Sequence, residues 1–317
     1  MKIGKVYVTD YVVNKNIEKK ILGRNYTDKL TKNIEVLLVW NQIIDETYLK
    51  KFPNLKAIVR YGVGFDKIDK QAAMKKKLLV CNTPDYASDE VSDTALGYLL
   101  MITRGIYKYN NDAKKNFNQW KFNTTISEIK RSSHLTVGVI GAGRIGSKFI
   151  KKSYLSGFKT LYYDPFLLKN CKYGTKYSNL YKMISKSDII SVHAPLTKKT
   201  SGMINNKFIN KMKKGSSIIN TSRGKIIKNL EIIYKALKNN KLFSVALDVL
   251  PYEPPKKDKL IKAWLNNDNI ASRIIINPHV SFYSVQSYEE CRIKASNNAK
   301  QILLGKKPKN IIYDFRN

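Results

Sequence analysis

Acidic side chains are scarce in this chain. Against 58 lysines and arginines stand 24 aspartates and glutamates, a formal net charge of +34 over 317 residues. Such an imbalance has two readings: a polyanionic partner such as nucleic acid or an acidic membrane surface, or a surface that has drifted to lysine. Only nine of the basic residues are arginine, and the lysines are scattered, with no basic tail and no arginine cluster. Ile, Asn and Tyr, which share A/T-rich codons with Lys, are abundant as well. Drift is the favoured reading, and no nucleic-acid partner is expected. Cysteine is equally sparse. Cys81, Cys171 and Cys291 are odd in number and far apart, which argues against a disulfide framework or a metal site and suits a reducing cytoplasm. No apolar run approaches the roughly 18 residues of a membrane span. The segment from Met1 to Val8 reads as a first strand and is too short and broken for the apolar core of a signal peptide.

What is present is ordinary globular material. The length suits about two domains, and 43% of the residues are hydrophobic. Short β-rich runs alternate with longer helical patterns throughout, the signature of parallel α/β sheets. A first set of strands is expected at 5–9, 36–40, 55–61 and 78–82. A second set is expected at 137–141, 159–164, 188–193, 216–221, 244–249 and 274–277. Between them a long helix is expected from Ser88 to about Ile106, with Val91, Ala95, Tyr98, Leu99 and Ile102 as its apolar face. A last helix is expected from Ser284 to Leu304, with Gly305 past its end. It could cross back onto the first set of strands and make that domain discontinuous.

The second set opens on Val137-Gly138-Val139-Ile140-Gly141-Ala142-Gly143-Arg144-Ile145-Gly146. A buried-strand pattern runs into G-x-G-x-x-G and then a helix. In this arrangement Gly141 makes the tight turn, Gly143 lets backbone approach a pyrophosphate, and Gly146 lets helix pack on strand. The helix start offers its N–H groups to the phosphates. Asp164 closes the next strand, 23 residues after Gly141, near the roughly 20 expected of a carboxylate that binds a ribose 2′-OH. A turn residue before Pro165 is a second reading of Asp164, compatible with the first. A dinucleotide is therefore expected, NAD rather than NADP, since Asp164 would repel a 2′-phosphate.

Polar residues and glycines also gather where the strands of this set run out: Gly141, Asp164, His193-Ala194-Pro195, Thr221-Ser222-Arg223, Asp248 and His279. Open α/β sheets bind ligands beyond those ends. Three histidines limit the search for a proton donor at neutral pH. His134 reads as a surface loop residue. His193 either lines the cofactor cleft or ends a strand. His279, in Asn277-Pro278-His279, has Glu253 as a candidate companion, a carboxylate able to hold one imidazole tautomer. Arg223 offers a planar fork for an α-carboxylate or a carbonyl oxygen. A nicotinamide beside these three implies hydride transfer to a 2-oxo acid, with His279 protonating the oxygen.

On these residues the chain resembles the D-isomer-specific 2-hydroxyacid dehydrogenase family, and within it the C-terminal-binding-protein branch and its bacterial relatives. The likeness runs through Val59 to Asp66, Gly141 to Gly146, Tyr163-Asp164-Pro165, His193 to Thr197, Asn220 to Gly224, Ala246 to Val249 with Glu253-Pro254, and Pro278-His279 with Phe282-Tyr283-Ser284. The resemblance implies a Rossmann NAD-binding domain inserted into a flavodoxin-like substrate domain, both doubly wound parallel sheets. The expected division is 1–101 with 282–317 for the substrate domain and 102–281 for the cofactor domain. It implies Arg223, Glu253 and His279 as the catalytic triad. It implies cofactor contacts from Gly141, Ala142, Gly143, Arg144, Ile145, Gly146, Asp164, His193, Ala194, Pro195, Thr221, Ser222 and Asp248, the last at the nicotinamide carboxamide. Arg60, Gly62, Val63 and Gly64 match the loop whose backbone holds the substrate carboxylate, and the helix from Ser88 matches one implicated in homodimer formation. Two departures stand out. Lys228-Asn229 replaces the usual acidic pair, and Val63 sits where some relatives carry a polar cofactor contact. The family's longer phosphoglycerate dehydrogenase architecture, with a regulatory domain, is not matched after Ile311, while a short version of it stays open. The alternative to an enzyme is an NAD(H)-sensing, corepressor-like binding protein.

Overall fold

The computed structural model describes residues 4–10, 12–120, 126–168, 170–266 and 268–316, so the first three residues of the expected opening strand lie outside the described residues. Among these residues no helix is long and apolar enough to cross a membrane. The chain divides into two compact units, Met1–Ala87 with Tyr283–Asn317, and Ser88–Phe282.

In the first unit the strands are β1 (Lys5–Val8), β2 (Tyr26–Thr27), β3 (Ile34–Val39), β4 (Ala57–Arg60) and β5 (Leu79–Cys81). In the second they are β6 (Thr136–Ile140), β7 (Lys159–Tyr163), β8 (Thr175–Lys176), β9 (Ile189–Val192), β10 (Ser216–Asn220), β11 (Leu242–Leu247) and β12 (Ile274–Ile276). The chain then returns to the first unit, through β13 (Ile311–Asp314).

The first sheet runs β13-β5-β4-β3-β1-β2. Its parallel part has the flavodoxin-like 2-1-3-4-5 order. Two of its strands were not expected: β2, only two residues long, and β13, which pairs with β5 antiparallel. The sheet is therefore mixed, with one antiparallel edge. The Val285–Leu303 helix starts at a capping box in which Ser284 and Ser287 exchange side-chain and backbone bonds. It lies against β3, β4 and the Asn16–Leu22 helix. Arg292 on it reaches Glu18 with Nε at 2.9 Å and Nη2 at 2.6 Å, and both side chains are buried. Removing one partner of such a pair costs about 3–5 kcal/mol, because the other charge is left buried and unpaired.

The second sheet runs β12-β11-β10-β9-β6-β7-β8, all parallel. Chain order reverses between β6 and β9, the switch point of a Rossmann sheet. β9, β10 and β11 are buried at every residue, as strands covered by helices on both faces must be. Asparagine caps three of the covering helices. Asn179, Asn205 and Asn229 accept from the N–H groups of Lys182, Phe208 and Ile232, so Asn229 keeps its capping role without the acidic pair.

The expected boundary near residue 101 shifts. The long helix spans Ser88–Thr103 and belongs to the second unit throughout. Its buried Ala95, Tyr98, Leu99 and Ile102 share one core cluster with Val137, Val139, Phe149 and Ile219. Lys148 and Lys152 of the Arg144–Leu155 helix also reach its Asp89 and Asp93. Gly105, at φ +63°, then separates it from a second helix, Ile106–Lys115, where the sequence pattern suggested one continuous helix to about Ile106.

Candidate active site

The glycine turn follows β6. Gly141 has φ +86°, and a Cβ there would stand 2.8 Å from the Ala194 nitrogen, so both the left-handed backbone and the close approach require glycine. A Cβ on Gly146 would collide with the carbonyl oxygen of Gly141, which is how tightly the Arg144–Leu155 helix sits on its own turn. At Gly143 an added Cβ would meet nothing within 4 Å. No side chain caps this helix start; Ala142 completes the turn, and Arg144 and Ile145 open the helix. An open cradle at an uncapped helix N-terminus suits a pyrophosphate. Asp164 faces the same turn. Its Oδ2 accepts from Ala142 N at 2.8 Å and its Oδ1 from Phe166 N at 2.9 Å. Each oxygen keeps a second lone pair for a ribose hydroxyl, so both readings of Asp164, turn residue and ribose ligand, fit one geometry.

His193 follows β9, and its backbone with that of Ala194 lies against Gly141. Its Nε2 bonds Ser191 Oγ at 2.8 Å, while its buried Nδ1 has no partner among the described residues. Burial pushes its pKa down to about 3, because an apolar surround disfavours the imidazolium. His193 is therefore neutral near pH 7 and buttresses the glycine turn. Ala194 is buried beside it, and exposed Pro195 accepts through its carbonyl from Thr200 Oγ1 at 2.6 Å.

At the ends of β10, β11 and β12 the expected catalytic residues assemble within this one unit. Asn220 ends β10. Its Oδ1 accepts from Ser222 N at 3.1 Å and Ser222 Oγ at 2.9 Å, and its Nδ2 donates to the Arg223 carbonyl at 3.0 Å. The Arg223 guanidinium donates through Nη1 to the Ser222 carbonyl at 2.7 Å. Gly224 comes next, and a Cβ there would collide with the Leu250 carbonyl group. The arginine turn is thereby pressed against the segment that leads to Glu253. Glu253 Oε1 accepts from Leu250 N at 3.0 Å, and Oε2 meets His279 Nδ1 at 2.8 Å. That contact assigns the Nδ1 proton to the carboxylate side and leaves Nε2 for chemistry. The two side chains are 42% and 38% exposed, so the imidazole is reachable from outside.

Asp248 is held from within the protein. It is 2% exposed, and its carboxylate accepts from the N–H groups of Val280 at 2.9 Å and Ser281 at 3.1 Å, while its carbonyl accepts from His279 N at 2.8 Å. It holds the turn in which His279 adopts φ +55°. Thr221 Oγ1 is buried without a partner among the described residues, a deficit that a polar ligand would relieve. The open glycine cradle, the Asp164 lone pairs and this orphaned hydroxyl together fit a dinucleotide.

Arg60, Gly62, Val63 and Gly64 lie in the other unit, at and after the end of β4, and form a group of their own. Tyr61 anchors the loop through its hydroxyl to Glu18 Oε1 at 2.9 Å. The Gly62 N–H, expected to face a carboxylate, instead donates to Thr83 Oγ1, which donates to the Arg60 carbonyl. Among the described residues the N–H groups of Val63 and Gly64 have no protein acceptor. The loop thus offers two donors, with the Arg60 guanidinium folded over Gly62 next to the Tyr86 hydroxyl. Ser191, Thr83 and Asn220 take parts here that no motif of the sequence names. Of these only Asn220, a polar residue at a buried strand end, carried a recognisable signal.

Comparison with known proteins agrees with this geometry. The profile of the D-isomer specific 2-hydroxyacid dehydrogenase NAD-binding domain matches residues 96–281. The glyoxylate reductase of Thermofilum pendens is 32% identical over 298 residues, covering 90% of this chain and 84% of that protein. The hydroxypyruvate reductase of Thermotoga maritima is 30% identical over 290 residues, covering 90% and 91%. The crystal structure of D-lactate dehydrogenase from Aquifex aeolicus, complexed with NAD and lactic acid, superposes with a TM-score of 0.85 at 28% identity, covering 98% of this chain and 99% of that one. With the glycine turn, Asp164 and the Arg223, Glu253 and His279 positions in place, the chain belongs to the D-isomer specific 2-hydroxyacid dehydrogenases, NAD-dependent oxidoreductases acting on the CH–OH group of 2-hydroxy acids.

Proposed function

We propose that this protein reduces a small 2-oxo acid to the D-2-hydroxy acid, with His279 as the proton donor. The observation that carries this reading is the 2.8 Å contact between His279 Nδ1 and Glu253 Oε2. Bound NADH supplies the hydride that reaches the carbonyl carbon. His279 Nε2 delivers the proton to the carbonyl oxygen, and Glu253 steadies the imidazolium before that transfer. Arg223 holds the substrate carboxylate and offsets charge developing on the oxygen. Asp164 selects NADH, because a 2′-phosphate would meet its carboxylate.

The reductase names of the relatives support a substrate of two or three carbons such as glyoxylate or hydroxypyruvate. The test is NADH and NADPH oxidation against glyoxylate, hydroxypyruvate, pyruvate, 2-oxoglutarate, phosphohydroxypyruvate and a branched 2-oxo acid. Turnover with NADH on a short acid is expected. NADH binding without turnover of any of them would favour the sensing-protein alternative. In Asp164→Ala, NADPH use should rise relative to NADH; an unchanged ratio removes Asp164 from cofactor choice.

The working form is proposed to be a homodimer in a reducing cytoplasm. Phe117 and Trp120, 70% and 75% exposed and set edge to face, support a covered apolar patch, and three unpaired thiols support the compartment. Sedimentation of the parent and of Phe117→Ser/Trp120→Ser should give a dimer and a monomer; a monomeric parent ends this part of the proposal.

A further inference from the structure

We propose that Asn220 is a positioning residue for the reaction, its carboxamide setting the turn that aims Arg223. The inference rests on the role proposed above for Arg223 and extends it to a fully buried residue.

An arginine side chain is rich in rotamers, so a guanidinium held in one orientation needs fixed acceptors. Here one of them is the Ser222 carbonyl, 2.7 Å from Nη1. The direction of that carbonyl depends on the Ser222 peptide planes. Asn220 holds them from both sides, accepting the Ser222 N–H and hydroxyl on Oδ1 and donating from Nδ2 to the Arg223 carbonyl. A local turn needs only the first of these bonds, which Asp could equally supply. The donor to Arg223 is what a carboxamide adds.

The root of the clamp is rigid. Asn220 is fully buried and pairs on both sides, opposite Val192 of β9 and Leu247 of β11. Its carbonyl accepts from Asp248 N at 3.0 Å. Downstream, Gly224 presses on Leu250. The arginine turn is therefore fixed at its first residue by the sheet, in its middle by the Asn220 side chain, and at its end by close packing. Only the middle constraint can be removed by changing a fully buried side chain.

The test is a double-mutant cycle on Asn220→Ala, Arg223→Ala and the pair, read as kcat/KM for the best 2-oxo acid alongside NADH affinity and melting temperature. Asn220→Ala should lower kcat/KM by about 10–100-fold, the order of loss when a reacting group is misplaced by an ångström, with NADH affinity near the parent's. Because Asn220 acts through Arg223, the pair should be no worse than Arg223→Ala alone. Losses that multiply, or an Asn220→Ala enzyme as active as the parent, would overturn the inference. Arg223→Ala with full activity would instead remove the proposed role of Arg223 itself, a separate failure. If Asn220→Ala does not fold, Asn220→Ser stays neutral in the buried space and lacks the carboxamide donor to Arg223. It should fold, bind NADH and lose activity, and parent-like activity there overturns the inference equally.

Discussion

His193 follows β9, and His279 lies three residues past β12 in the same sheet. The first ring is shut in beneath the glycine turn, bonded to a serine hydroxyl, with its pKa pushed down to about 3 by burial. The second is 42% exposed, with a carboxylate on Nδ1 and a left-handed backbone held by Asp248. Residue type and position at a strand end are the same. A buried imidazole without a countercharge stays neutral and serves packing, whereas an accessible one paired with a carboxylate can carry a proton to a ligand.

Substitutions can break or sharpen this contrast. The largest effect is expected from His279→Ala, which should reduce turnover by about two to four orders of magnitude, the usual worth of a general acid. NADH binding, measured by fluorescence, should stay near that of the parent, and undiminished turnover would equate the two histidines after all. Next comes Glu253→Gln. It keeps an acceptor for Nδ1–H but removes the charge, and with a charged hydrogen bond worth about 1.5–3 kcal/mol it should slow turnover by roughly 10–100-fold. A loss seen only in cofactor affinity would place Glu253 elsewhere.

The smallest effect on catalysis is expected from His193→Gln, whose signature is acid stability. His193 is lowered from 6.5 to about 3 in the folded protein. Between those pH values the unfolded chain binds a proton that the folded chain refuses, so the parent loses stability as pH falls through this window and nothing above it. The variant lacks that term. Its melting temperature should fall less steeply than the parent's between about pH 6.5 and pH 4; parallel curves would mean that His193 is not held neutral.

Much of this site was legible because its signals are local. G-x-G-x-x-G, Asp164 after the next strand, and polar residues wherever an apolar run stops are visible within short windows, and the ten longer strands were placed to within a few residues. Helix capping at Ser284 and Asn229 was legible for the same reason. β2 and β13 were not, since two residues or a short edge strand carry little periodicity of their own. Glu18 and Arg292 stand 274 positions apart, and nothing near either one announces a buried ion pair. Gly62 looked like a ligand donor until Thr83, 21 residues on, took its N–H.

The sequence by itself determined the order of strands and helices, the dinucleotide turn, and which reactive side chains stand at the carboxyl ends of the second sheet. Hydrophobic periodicity and glycine spacing write these into the chain residue by residue. The tertiary structure alone decided which histidine is neutral, which N–H groups remain for a ligand, that Asp248 and Asn220 brace the turns beside them, and where one unit gives way to the other. Those properties depend on desolvation and hydrogen-bond competition, and both are set by whatever the fold brings alongside from far away in the chain.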